Sequence, residues 1–193
     1  AWTANSGNLA ITSSGSTVGI DADITTISSG NIALSSNGVM TIADAKTFTS
    51  AGTSTLTASA ITSGAATVTS AGDVTVTIVD TWTATAGDLV LNSGAAMSLD
   101  GHVRTATSGD IGVTSTGVLT IADGKTFTSA GTSTFTCASI TSVAATITSA
   151  NLITVTGAWT ATGALSMTSS LQGITLNDDV TTTGGSLDIT LAA

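Results

Sequence analysis

Twelve acidic side chains, all aspartate, with three basic ones, one histidine and one cysteine, make up the reactive repertoire of this 193-residue chain. Asp73, Asp88 and Asp110 each follow a glycine, in Gly72-Asp73, Gly87-Asp88 and Gly109-Asp110. If these are one corner of consecutive turns of a coiled chain, they form a carboxylate ladder of a kind that takes Ca²⁺. Thr132 and Asn151 continue the series without charge, and the Gly-Gly-x-Gly-x-Asp calcium repeat is absent. Solvated turn acids are the expectation here, and equally for Asp21, Asp23, Asp178 and Asp179. Lys46 and Lys125 hold matching turns beside Asp44 and Asp123, where a surface ion pair contributes little.

His102 and Arg104 flank Val103, so on a strand both point away from the core. No nucleophile, base and orienting group accompany them. Cys137 lies two residues after Phe135 and shares its inward face, with Ala58 as its counterpart earlier in the chain. It reads as a small buried thiol, since a reactive one needs an exposed, electropositive setting. Polysaccharide-cleaving β-helices need clustered carboxylates with a base or a metal, and this chain has no glutamate and three basic residues. The expectation is a non-enzyme with no catalytic residue, no cofactor and no metal.

The elements that carry these residues announce themselves by repetition. Val39–Ser70 returns as Val118–Ser149 at an offset of 79 residues, with about three-quarters of the positions identical. A Trp-Thr-Ala tripeptide recurs at Trp2, Trp82 and Trp159. The chain therefore divides into large repeats 2–81, 82–158 and a partial 159–193, all within one solenoid over 1–193. Inside them runs a shorter period of about 19–23 residues, the length of one β-solenoid coil. It is opened by a glycine (Ala150 in one case), a small polar residue and an apolar-x-apolar strand.

Composition agrees. Thr, Ser, Ala, Gly, Val and Ile dominate, and Pro and Tyr are absent. Thr, Val and Ile suit a pleated surface and are mediocre helix formers. A net charge of −9 with no basic patch excludes a phosphate-binding surface, so no nucleic-acid partner is expected. No apolar run reaches the roughly 18 residues of a membrane helix.

The expected fold is all-β: a parallel β-helix of about 22 residues per regular coil, three strands per coil and a roughly triangular section. In the coil Asn31–Gly52 the strands are Ile32–Leu34, Met40–Ile42 and Thr47–Thr49, separated by polar turns. Asp73–Gly87 and Asn151–Gly163 read as periodic short coils of about 15 and 13 residues. Two explanations of their tryptophans stand open: the indoles of Trp82 and Trp159 fill volume that a short coil lacks, or they replace Phe48 and Phe127 at a third-strand position. That position gives a single core stack of Phe48, Val68, Trp82, Val103, Phe127, Ile147 and Trp159, with Ile24 and Val180 at its ends.

Two further patterns concern partners. Thr pairs flank the stack, as Thr47/Thr49, Thr67/Thr69, Thr81/Thr83, Thr126/Thr128 and Thr146/Thr148. Stacked T-x-T on a flat face resembles ice-binding β-helical antifreeze proteins, although Asp23, His102, Arg104 and Asp179 interrupt it. The second pattern is a divided turn: Ser186–Ala193 opens a coil and Ala1–Gly7 closes one. Joined tail to head they match Asp73–Gly87, with Trp2 where Trp82 falls. This makes Trp2, Leu187, Ile189 and Leu191 the expected junction of a head-to-tail homopolymer, or the point where a longer repeat chain continues. Neither end carries a polar or helical cap, so each is an open sheet edge.

The strands Gly87–Leu91 (GDLVL) and Gly185–Leu191 (GSLDITL), with the T-x-T pattern, resemble repeat regions of filamentous-haemagglutinin-like and autotransporter-like bacterial surface exoproteins. That resemblance implies export, a cell-surface or extracellular location, and an adhesive or structural role. The expected function is an extracellular fibre or stalk of stacked coils; the alternative is an adhesin or ice-binding module that uses a side face.

Overall fold

In each short strand the chain alternates apolar and hydroxyl or small residues, so one side of the strand turns away from water and the other toward it. The computed structural model describes residues 1–192, and in them every regular element is a β-strand. No helix long and apolar enough to cross a membrane is present among them. The 22 strands join one sheet system in which the pairings are parallel. The expected β-solenoid is the fold, with about nine turns.

Three faces, visited in the order A, B, C, make each turn. Face A begins with Trp2–Ala4, face B with Leu9–Ser13 and face C with Val18–Ile20. Along face A the inward column is Trp2, Ile24, Phe48, Val68, Leu91, Val113, Phe135, Val155 and Leu176. Along face B it is Leu9, Ile32, Ser54, Val74, Met97, Leu119, Ile140, Trp159 and Val180. Along face C it is Val18, Met40, Ile61, Trp82, Val103, Phe127, Ile147, Met167 and Ile189. Each buried Val, Leu, Ile or Phe contributes roughly 1.5–3 kcal/mol, and the three columns meet in one continuous core.

Corners are closed from within. Ser50 ends its face-A strand buried, and its hydroxyl donates to the carbonyls of Gly30 (2.9 Å) and Thr53 (2.8 Å) while accepting the Gly52 N–H (3.2 Å). Its repeat equivalent Ser129 does the same with Gly109, Thr132 and Gly131, at a corner after face C. Coils pass so closely at corners that a Cβ on Gly38 would stand 1.3 Å from the Ser16 carbonyl oxygen.

Two expectations are corrected. First, coils of 13 to 15 residues are not found: stacked neighbours along the three columns are 19 to 24 residues apart, from Ile140 and Trp159 at the low end to Ile24 and Phe48 at the high end. Gly72-Asp73 opens a face-B strand and Gly87-Asp88 a face-A strand, so the interval between them is two sides of a triangle. Second, the single core stack is three. Phe48 and Val68 lie on face A, Trp82, Val103, Phe127 and Ile147 on face C, and Trp159 on face B. All seven are buried. The physical reason is common to both: the large repeat of 79 residues covers three whole turns and two further sides, so every equivalent residue reappears one face away. With no shortened coil there is no missing volume for the indoles to fill. Trp82 simply shares its column with Phe127.

Candidate functional site

A side face of this tube is fully paired, because every interior strand has a neighbour above and below. The end coils are different. At one end the strands Ile174–Leu176, Val180–Thr182 and Leu187–Leu191 pair only with the coil beneath them. At the other, Trp2–Ala4, Leu9–Ser13 and Val18–Ile20 pair only with the coil above. Each end thus presents unpaired backbone N–H and C=O groups, a template for further strand pairing.

The side chains follow. Trp2 is 46% exposed, and Leu187, Ile189 and Leu191 are 38%, 46% and 64% exposed, whereas Trp82, Ile147 and Met167 in the same columns or repeat positions are at 0%. Trp2 sits on face A of the first coil and the other three on face C of the ninth. The four expected junction residues therefore lie at opposite ends of one molecule, and within a single copy they do not meet. Ala193, the last residue of the divided turn, lies outside the described residues.

Six carboxylates on the side faces are engaged with backbone. Asp23, Asp44, Asp73, Asp88, Asp110 and Asp123 accept the N–H of Thr47, Ala65, Ala96, Asp110, Thr132 and Ala144 at 2.7–3.2 Å, each one coil further on. Asn8 and Asn31 do the same toward Asn31 and Thr53, at 2.9 and 2.7 Å. These side chains staple successive coils, a role that sequence reasoning missed; for Asn8, Asn31, Asp73, Asp88 and Asp110 its signal was the Asx after a corner glycine, and Asp23, Asp44 and Asp123 follow an alanine instead. The expected common corner of Asp73, Asp88 and Asp110 is not found: Asp73 precedes a face-B strand, Asp88 and Asp110 precede face-A strands. No group of three or more metal-ligating side chains occurs among the described residues.

His102 and Arg104 point outward on face C. The His102 Nδ1 accepts the Thr126 N–H at 3.2 Å and lies 2.9 Å from the Thr126 hydroxyl. Asp23 is its repeat equivalent and holds Thr47 the same way, so the imidazole replaces a carboxylate staple. Lys125 pairs with Asp100 at 3.0 Å rather than with Asp123 beside it. Cys137 is buried, and desolvation pushes its thiol up to about 11, partly opposed by a hydrogen bond with the Ser115 backbone. The thiol is therefore neutral and poorly nucleophilic near neutral pH.

The Thr pairs do not share one face. Thr47/Thr49 and Thr67/Thr69 stand on face A, Thr81/Thr83, Thr126/Thr128 and Thr146/Thr148 on face C. Face A is interrupted by Val90/Asn92 and Gly112/Thr114, face C by His102/Arg104. Comparison with family models, with curated proteins and with solved structures finds no match.

Proposed function

We infer that the chain is a structural element, an extracellular or surface-displayed fibre or stalk that grows by laying coil upon coil. The observation that carries this reading is the contrast between interior and end: three hydrogen-bonded ladders run through every coil, and both end coils offer unpaired edges with half-exposed apolar residues in line with the buried core. A second copy, or further coils of a longer repeat chain, supplies the next rung. The work is mechanical: each coil adds a ladder and a dry stack, as in cross-β assemblies. The engaged carboxylates and the buried thiol speak for a non-catalytic role. The resemblance to haemagglutinin-like and autotransporter-like exoproteins supports export.

A second reading, a side-face binder of ice or of a surface receptor, is favoured by the Thr ranks on faces A and C. Negative-stain electron microscopy of the isolated protein separates the two. Micrometre fibres support the first, and discrete rods about 40 Å long, nine coils at about 4.8 Å, overturn it. Inhibition of ice recrystallisation would establish the second.

A further inference from the structure

We propose that the seam on face C between the strand Met97–Thr105 and the strand Lys125–Ser129 above it is pH-sensitive, with protonation of His102 opening it. The ladder across this seam has two rungs, Val103 with Phe127 and Arg104 with Thr128. One residue earlier the seam below pairs Thr81 with His102, and the seam above pairs Thr126 with Thr146. Between His102 and Thr126 the Thr126 N–H turns to the imidazole ring instead. A half-buried ring nitrogen thus stands in for a backbone acceptor. The device lies within the tube and is independent of what extends it.

The His102 Nδ1 accepts the Thr126 N–H at 3.2 Å, with the Thr126 hydroxyl 2.9 Å away. That nitrogen has a lone pair to offer only in the neutral ring that carries its proton on Nε2; in the imidazolium both nitrogens are donors. When the ring is protonated, the Thr126 hydroxyl can rotate and accept from Nδ1–H. The backbone N–H cannot reverse, so it loses its acceptor and faces a positive donor. Imidazole is the side chain that ordinarily changes charge between pH 5 and 8. The opening is local, because the Leu99 carbonyl holds the Ala122 N–H at 3.0 Å on one side and the Phe127 rung holds the other.

The charged groups around the ring do not offset its charge. On its own strand Asp100 is paired with Lys125 at 3.0 Å, and Arg104 is exposed. The coil above brings Lys125 and Asp123, whose carboxylate accepts the Ala144 N–H at 3.2 Å. The coil below brings Asp80, which accepts the Thr81 hydroxyl at 3.1 Å. Each nearby carboxylate has a partner of its own.

The 79-residue repeat carries its own control. Asp23 accepts the Thr47 N–H at 3.0 Å, again one residue before a two-rung ladder, Ile24 with Phe48 and Thr25 with Thr49. A carboxyl group keeps an acceptor oxygen in either protonation state. Lys46–Ser50 and Lys125–Ser129 are the same pentapeptide, KTFTS. Thr47 and Thr126 both follow a lysine, so their amides share one intrinsic exchange rate and differ in what holds them.

Hydrogen exchange of the whole chain, read by mass spectrometry after proteolysis, tests the seam in a single rod or in a fibre. Ala45 and Gly124 give the two otherwise similar peptides different masses. Protection, corrected for the intrinsic rate, is compared at about pH 7.5 and about pH 5. The Thr126 peptide is expected to lose about tenfold in protection at the lower pH, the equivalent of one hydrogen bond, while the Thr47 peptide keeps its own. His102→Asp installs the residue of the equivalent position, Asp23, and is expected to make the Thr126 peptide insensitive to the same change. Equal behaviour of the two wild-type peptides overturns the proposal, whether both hold or both loosen. A Thr126 peptide that still loosens in His102→Asp overturns the assignment to this ring. The wild-type comparison decides the matter by itself if the variant does not fold.

Discussion

Trp82 and Trp159 are repeat equivalents that occupy different faces of the tube, C and B, yet make the same bond. Each buried indole donates its N–H at 3.0 Å to a serine one coil below, Ser63 for Trp82 and Ser142 for Trp159. Ser63 and Ser142 are themselves 79 residues apart, so donor and acceptor have rotated together. Trp82→Ala is expected to cost about 3–5 kcal/mol by opening a cavity. Ser63→Ala is expected to cost about 1–3 kcal/mol by leaving a buried donor without a partner. Denaturant midpoints measure both, and midpoints unmoved by Trp82→Ala would place the ring outside the core.

Ala45 adopts φ of 56°, and its equivalent Gly124 adopts 68°. A side chain in this left-handed region is strained, and only glycine enters it freely. Ala45→Gly is therefore expected to stabilise by about 0.5–1 kcal/mol despite the added chain entropy, and Gly124→Ala to destabilise by a similar amount. Opposite shifts in thermal midpoint check the pair; shifts of the same sign would contradict it.

Ser54 and Ser133 are also repeat equivalents, and both bury a hydroxyl that finds no partner. Ser54 stacks between Ile32 and Val74, and Ser133 between Ile111 and Ile153. Replacing either by alanine removes an unsatisfied polar atom with little loss of volume and is expected to stabilise by about 1 kcal/mol. A loss of stability in both variants would mean that the hydroxyls are satisfied.

Cys137 supplies a pH dependence. Its thiol is pushed from 9.0 to about 11 in the folded chain, chiefly by desolvation. The folded value is raised, so its contribution is fully present below pH 9 and is lost as pH climbs toward 11, where the unfolded thiol ionises first. Wild-type stability should fall across that window more than that of Cys137→Ala. Parallel pH profiles of the two proteins would show that burial does not act on this thiol.

Strand content, the length of a regular coil and the inward set could be read directly, since alternation in Ile32–Ser36, Val39–Ile42 and Lys46–Ser50 is strict and the turns between them carry Asn, Gly and Asp. Which side a strand belongs to could not. The corner between Ile78 and Thr81 lies inside the continuous strand Val74–Ala84 and carries Asp80 alone, with no glycine or asparagine, so a whole side passes with only a weak turn signal. Residues 133–142 turn a second such corner near Ala138. Counting from glycine to glycine then mistakes two sides for a short coil. The apolar end residues were legible because Leu187, Ile189 and Leu191 alternate as a buried strand does, and the staples were not, because an aspartate at a turn looks the same whether it faces water or the next coil.

The rotation of the large repeat is tested most directly by intrachain disulfides in the Cys137→Ala background. Thr160 is the outward stacked neighbour of Thr141 on face B, whereas Thr148 stands on face C. Thr160→Cys with Thr141→Cys is predicted to close a disulfide in the folded monomer, and Thr160→Cys with Thr148→Cys to remain as free thiols. Closure of the second pair and not the first would put Trp159 back in one column with Ile147, and the threefold placement of the repeat would be wrong.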